Sequence, residues 1–195
     1  MKTAHSLSAL LQSFFTDRLI SQRQSSPHTI ASYRDTFRLL LRFAQKQLHK
    51  LPSQLTLDDL NAPFIGAFLD HREKNRNNGA RTRNLRLTAI RSFFQYVAFQ
   101  EPTHSAHIQR VLAIPTKRQD RALIDFLTHP EIQALLSAPD KTSWTGRRDQ
   151  ALLMLAIQTG LRLSELIHLR RCDIILSSGA HVRCYGKGRK ERCTP

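Results

Sequence analysis

Apolar residues recur at three- and four-residue steps through the first hundred positions, and this spacing constrains the fold more than any other feature of the chain. Leu7, Leu10, Leu11, Phe14 and Phe15 form one such set, and Ile30, Tyr33, Phe37, Leu40 and Leu41 form the next. A period near 3.6 gathers each set on one face of a helix, whereas a strand would alternate every second residue. Ser26 with Pro27 reads as an N-cap followed by proline at the first helical position. Thr56 with Asp59 reads as a capping box ahead of Leu60, which predicts a third helix from about Leu57 to His71. Asn75-Arg76-Asn77-Asn78-Gly79 breaks that helix, and a fourth follows through Leu87, Ile90, Phe94 and Val97. Residues 1–101 are therefore expected to form a four-helix domain.

The charge balance names the partner class. Among 195 residues, 30 Lys and Arg face 15 Asp and Glu, a formal net charge of +15. Such a surface favours polyanions, with double-stranded DNA foremost. A membrane is the rival polyanion, but no apolar run approaches the roughly 18 residues that a spanning helix needs. Met1-Lys2-Thr3-Ala4-His5 leads into an amphipathic pattern rather than the apolar core of a signal peptide. Cys172, Cys184 and Cys193 lack C-x-x-C spacing, which fits reduced thiols in a cytoplasm. His49, His71 and His168 have no metal-like neighbours in sequence, so neither metal nor cofactor is expected.

The basic residues are patterned. Arg34, Arg38 and Arg42 recur every fourth residue along the second helix, and Arg81, Arg83, Arg86 and Arg91 populate the fourth. Four-residue spacing keeps side chains on one face. One such stripe could simply keep a helix solvated, but two in a small domain point to helices that track a DNA backbone.

From Glu101 to Phe126 the helical period fades, Pro102 and Pro115 punctuate the chain, and Lys117, Arg118 and Arg121 cluster. Residues 102–126 read as a basic linker. A second domain, 127–195, opens with a Thr128–Glu131 capping box and a short helix through Leu135 and Leu136. Ala151-Leu152-Leu153-Met154-Leu155-Ala156-Ile157 predicts a buried helix ended by Gly160 in a left-handed cap, followed by a short helix from about Ser164 to Leu169. Cys172 to Leu176 and His181 to Tyr185 read as strands around a Ser177-Ser178-Gly179 turn. Gly186-Lys187-Gly188 makes a second turn, and Arg189 to Thr194 starts a third strand, leaving a small sheet with an open edge.

Two motifs carry chemistry. Thr159-Gly160-Leu161-Arg162-Leu163-Ser164-Glu165-Leu166 holds an arginine at a glycine-dependent helix junction. Its planar fork suits two oxygens of one phosphate, with Glu165 one turn later to orient it. A helix-capping arginine in an ordinary salt bridge is the simpler reading. Tyr185-Gly186-Lys187-Gly188-Arg189-Lys190-Glu191-Arg192 sets a lysine at a hairpin tip, where its ammonium could protonate an oxygen leaving group or merely touch phosphate. A nucleotide-binding P-loop is excluded because G-x-x-x-x-G-K-[ST] is absent.

Together these motifs resemble the tyrosine recombinase family, which includes phage integrases and Xer-type resolvases. Ser26-Pro27-His28-Thr29-Ile30-Ala31-Ser32-Tyr33-Arg34 and the helix from Arg83 to Phe94 resemble the family's core-binding domain. Arg148-Asp149-Gln150-Ala151-Leu152-Leu153 and the arginine motif resemble the opening of its catalytic domain. The resemblance implies a mainly α fold: a four-helix SAM-like core-binding domain, then the N-terminal part of an α+β catalytic domain with a small antiparallel sheet. It implies DNA integration and site-specific recombination of a mobile-element type. Arg162 matches the first catalytic arginine, Glu165 its acidic support, and Lys187 the general acid. Family members cleave DNA without a metal, through a tyrosine that joins the 3′ phosphate. Four protomers usually assemble on two sites, and each clamps its duplex between the two domains, where the basic linker would meet DNA. The family's H-x-x-R box with the second arginine, the later His or Trp, and the nucleophilic tyrosine would lie beyond Pro195. The chain is therefore expected to be truncated relative to the family and unable to cleave DNA alone, Tyr33, Tyr96 and Tyr185 being poor replacements. Two other roles fit the same residues: a non-catalytic regulator that competes with a full-length recombinase, or one half of a split enzyme.

Overall fold

The computed structural model describes residues 6–76, 79–119, 125–186 and 191–195. The chain divides into two compact units, Met1–Arg121 and Ala122–Pro195. Most described residues are helical, and the strands form one small antiparallel sheet in the second unit.

In the first unit, α1 (Leu7–Ser13) starts at Ser6, whose hydroxyl accepts from the Ala9 amide at 3.2 Å. It runs directly into a wider π-helical stretch, Phe14–Gln22, which places Phe14 and Leu19 in the core. Helix α2 (Pro27–Leu48) starts as the sequence predicts, with Ser26 accepting from the Thr29 amide at 3.3 Å and Pro27 in the first turn. The third helix differs. Asp59 does bond back to the Thr56 amide at 2.9 Å, but this closes only the short 3-10 turn Asp58–Leu60. Helix α3 (Ala62–Arg76) is capped instead by Asn61, whose side-chain oxygen accepts from the Phe64 amide at 2.9 Å. Helix α4 (Ala80–Gln100) follows Gly79.

The segment 102–126, expected as a linker, holds a further helix, α5 (Ser105–Leu112). Ile108 and Val111 are fully buried in the core of the first unit. With Leu112 packed against the same core, these apolar residues dock a two-turn helix, but so short a run is little signal against a punctuated, basic background.

Rings knit this core. Phe14 lies 5.5 Å from Phe93 and 6.1 Å from Phe37, and Phe37 lies 5.3 Å from Phe93, in edge-to-face arrangements. One side chain thus joins the first helix to α2 and α4.

The second unit comprises α6 (His129–Ser137), α7 (Trp144–Thr159), α8 (Leu163–Leu166) and three short strands. Strands β1 (Ile174–Ile175), β2 (His181–Tyr185) and β3 (Glu191–Thr194) pair antiparallel in the order β1-β2-β3. Glu131 closes the predicted capping box on the Thr128 amide at 2.7 Å, and Gly160 ends α7 at φ 59° in the left-handed region. The core is small: Leu161, Val182 and Cys184 are buried, with Leu155, Leu166 and Leu169 packed against them. Helix α7 is not the buried helix its sequence predicts. Leu152, Met154 and Ile157 stay 38–44% exposed. The run is apolar all round, and the described elements of this unit half-bury Leu153, Leu155 and Ala156 but leave the other positions open. No described helix is long and apolar enough to cross a membrane.

Replacing Phe14 by alanine should destabilise the first unit by about 3–5 kcal/mol, seen as a lower midpoint in urea unfolding. A loss below about 1 kcal/mol would show that this ring does not hold the helices together.

Candidate nucleic-acid interface and arginine site

Once Phe37, Leu40 and Ala44 turn one face of α2 into the core, Arg34, Arg38 and Arg42 stand exposed on the other. Arg34 and Arg42 form no ion pair among the described residues. Arg38 does: its Nη2 donates to Asp35 Oδ1 at 2.8 Å, one turn back. The second carboxylate oxygen of Asp35 accepts from Nη1 of Arg86, on α4, at 3.3 Å. Partial burial would raise the Asp35 carboxyl, but the hydrogen bonds from Arg38 and Arg86, with their charges, outweigh it and hold it below its ordinary value of 3.8. Asp35 is thus a fixed anion within a basic face.

The arginines of α4 divide differently from the sequence expectation. Arg81 is exposed, whereas Arg83 is 7% exposed and Arg86 14%. Arg83 donates to the Pro115 carbonyl at 3.2 Å and pairs with Glu73, while Arg91 bonds the Ile114 carbonyl. Asn84 grips Lys117 from both sides: its amide donates to the Lys117 carbonyl at 2.8 Å and its oxygen accepts from the Lys117 amide at 3.0 Å. This is a strand-like pairing made by a side chain. It fastens residues 114–117 along α4, leaving Lys117 half exposed on Glu73 at 2.7 Å and Arg118 exposed. A four-residue stripe cannot reveal which arginines fall toward a passing backbone. The missed residue, Asn84, did leave a signal, since asparagine inside a helix is poorly suited to it and often has another task.

In the second unit, the left-handed turn at Gly160 sets Arg162 at the N-cap of α8. Glu165, its side chain 2% exposed, accepts from the Arg162 amide at 2.8 Å and from Arg162 Nη1 at 2.9 Å. A third donor arrives from β3, where Arg192 Nη2 lies 2.7 Å from Glu165. The Arg162 side chain remains 62% exposed, its guanidinium held to Glu165 through Nη1. The backbone hydrogen bond from Arg162 is the strongest influence lowering the Glu165 carboxyl below its ordinary 4.5; burial opposes it, and the two guanidinium groups add to it. The sequence brings Arg162 and Glu165 together by spacing. Arg192 joins them only through strand register, opposite Cys184. Lys187, the expected hairpin lysine, lies outside the described residues, as do Arg189 and Lys190.

Comparison with known proteins bears on both units. "Phage integrase, N-terminal SAM-like domain" matches residues 12–101, and "Phage integrase family" matches residues 125–195. Two Sinorhizobium fredii proteins named as integrase/recombinase, y4rC and y4rD, are 61% and 44% identical over 190 residues, 97% of this chain. The match covers 57% of the first and 68% of the second. The chain belongs to the tyrosine recombinase, or phage integrase, family. Tyrosine recombinase XerD of Pasteurella multocida is 35% identical across 96% of this chain and 59% of its own length. The chain thus spans between about half and two thirds of these relatives. Its fold resembles that of the XerH recombinase in a post-cleavage complex on palindromic difH substrate, with a TM-score of 0.61 at 20% identity, over 88% of this chain and 49% of that one.

Two of this recombinase-family chain's tyrosines serve the first unit's core. Tyr33 stacks on Phe14 at 6.4 Å, and the Tyr96 hydroxyl donates to Ser13 at 3.0 Å. Tyr185 is exposed on β2. The spelling H-x-x-R occurs at His107–Arg110 and His168–Arg171. His107 packs near Phe94 in the first unit, and the exposed His168 ring bonds the Ser164 carbonyl at 2.7 Å.

Because Glu165 is lowered in the folded state, its contribution to stability is present above its unfolded value and is lost as pH falls through the lowered one. A carbon-detected titration of the Glu165 carboxyl should give a midpoint below 4.5, moving upward in Arg192→Ala. A midpoint unmoved by that substitution would show that Arg192 does not hold Glu165.

Proposed function

We propose that these 195 residues act in DNA integration or site-specific recombination as a DNA-binding piece that cuts no DNA by itself. The single observation that carries this reading is the exposed arginine face of α2. Duplex DNA meets Arg34, Arg38 and Arg42 there, with Arg81, Lys117 and Arg118 as further contacts, while Arg83, Arg86 and Arg91 act indirectly by holding Asp35 and residues 114–117. Residues 1–101, with α5 docked in their core, are the core-binding part, the basic stretch from Lys117 supplies the connection, and 127–195 are the opening of a catalytic domain.

In the second unit, the free edge of Arg162 takes two oxygens of a DNA phosphate while Glu165 keeps the guanidinium from turning. Lys187 is the general acid of this proposal. The family's reaction also needs a tyrosine nucleophile and a second arginine; Tyr33 and Tyr96 are committed to the first unit's core, and Tyr185, though exposed on β2, flanks the lysine turn, so on this reading no phosphotyrosine link forms from these residues alone.

A second reading is favoured by exposed apolar side chains in the second unit: Leu163 at 74%, Ile167 at 67% and Met154 at 44%. Here a further recombinase polypeptide covers that surface, either a full-length protomer that this chain regulates or the other half of a split enzyme.

Each phosphate contact contributes about 0.9 to the slope of log affinity against log salt, so Arg34→Ala with Arg42→Ala should flatten it by about 2. An unchanged slope would place phosphate elsewhere. On a suicide duplex, the chain should leave no covalent protein–DNA adduct; a covalent band would contradict the non-cleaving claim.

A further inference from the structure

Arg34, Arg38 and Arg42 share one face of α2 but not one environment, and the difference is chemical. The outer two have no carboxylate partner among the described residues, whereas Arg38 is held by Asp35 at 2.8 Å and is still 59% exposed. Asp35 is itself tethered from α4 by Arg86, so the carboxylate cannot swing away. Ala31, Arg34, Asp35 and Arg38 line an open notch of about 260 Å³, and the small Ala31 side chain leaves it clear on the surface.

A carboxylate is out of place on a phosphate-binding face, because it repels the ligand that its neighbours attract. It is in place beside a base edge. An arginine with one donor fixed keeps its remaining donors in a set plane, the arrangement that reads guanine O6 and N7 in the major groove. Helix geometry sets the same division of labour. Arg34 and Arg42 are separated by about 12 Å along the helix axis, since each residue rises about 1.5 Å. The major groove is about 12 Å wide. A helix lying across it brings the outer arginines to the phosphate rims and Arg38 midway, over the base edges.

From this placement we infer that Arg38, oriented by Asp35, is a base-reading residue that selects guanine at one position of the bound duplex, while Arg34 and Arg42 contact phosphate. The inference rests on the DNA-binding reading of α2 and adds sequence selection to it. Asp35 acts as a positioning residue: its ionised carboxylate turns the Arg38 fork toward the groove and, lying beside the guanine, can accept from the amino group of the paired cytosine.

The test is selection from a random-sequence duplex library by the full 195-residue chain, followed by salt titrations on the selected duplex and on a version with the guanine changed to adenine. Wild type should enrich guanine at a position where Arg38→Ala loses about tenfold or more of its preference, with the slope against log salt unchanged. Arg38→Lys, which keeps the charge and surface site, should lose most of the same preference, and Asp35→Asn should weaken it while Arg38 stays in place. Arg34→Ala should instead flatten the slope by about 1 and leave base preference intact. The inference is overturned if Arg38→Ala flattens the slope like Arg34→Ala with base preference unchanged, if no position is enriched, or if the Arg38 variants match wild type in both measurements. Failure of wild type to bind any duplex is a separate result, which sinks the DNA-binding reading itself.

Discussion

The contact of Phe14 with Phe37 and Phe93 is the constraint on which the first unit depends. It is made by three different helical segments, and each ring is at most 3% exposed. By fixing the rotation of α2 about its own axis, it decides which residues of that helix meet solvent. The turn of α2 that points Phe37 and Leu40 inward leaves Arg34, Arg38 and Arg42 outward, and that of α4 brings Arg86 against Asp35. Burial of rings is non-directional in its driving force but specific in its packing, so the interior of this unit sets the chemistry of its surface.

Charge is sorted accordingly. On α4, Arg83 and Arg91 are bound to the carbonyls of residues 114–117 or to Glu73; Arg86 shares Asp35 with Arg38 of α2, and Arg34 and Arg42 form no ion pair among the described residues. Carboxylates appear where an arginine needs holding: Asp35 between two helices, Glu73 beneath Arg83 and Lys117, Glu165 between Arg162 and Arg192. In both units, one edge of a guanidinium is tied down and the rest stays open, as at Arg38 and Arg162. A tied fork loses less freedom on meeting a planar partner, so the same device suits the proposed recognition of a base at Arg38 and of phosphate at Arg162.

Much of this was readable in order along the chain. The four long helical patterns follow from apolar spacing, and Ser26, Thr128 and Gly160 act as punctuation in the way their side chains or backbone permit. Helix α5 escaped because its apolar set, Ile108, Val111 and Leu112, spans barely one turn amid prolines and basic residues, and the start of α3 was misplaced because Thr56–Asp59 caps a separate short turn. Spacing brought Arg162 to Glu165, one turn apart, but could not bring Arg192, which depends on the pairing of β2 with β3. Nor could it separate Arg83 from Arg34: both lie on basic stripes, and only the path of residues 114–117 turns one inward. The exposure of Leu152, Met154 and Ile157 was equally hidden, because an apolar run reports its own affinity for a core and not how much core stands beside it.

On the proposed reading, the outward face of α2 is where this chain meets duplex DNA. Amide and arginine side-chain NMR shifts of the 195-residue chain, recorded as duplex is added at physiological salt, test it most directly. The largest changes should fall on Ala31, Arg34, Arg38 and Arg42, with Lys117 and Arg118 following. Changes centred instead on the groove lined by Arg18, Arg23 and Phe99, with α2 silent, would contradict it.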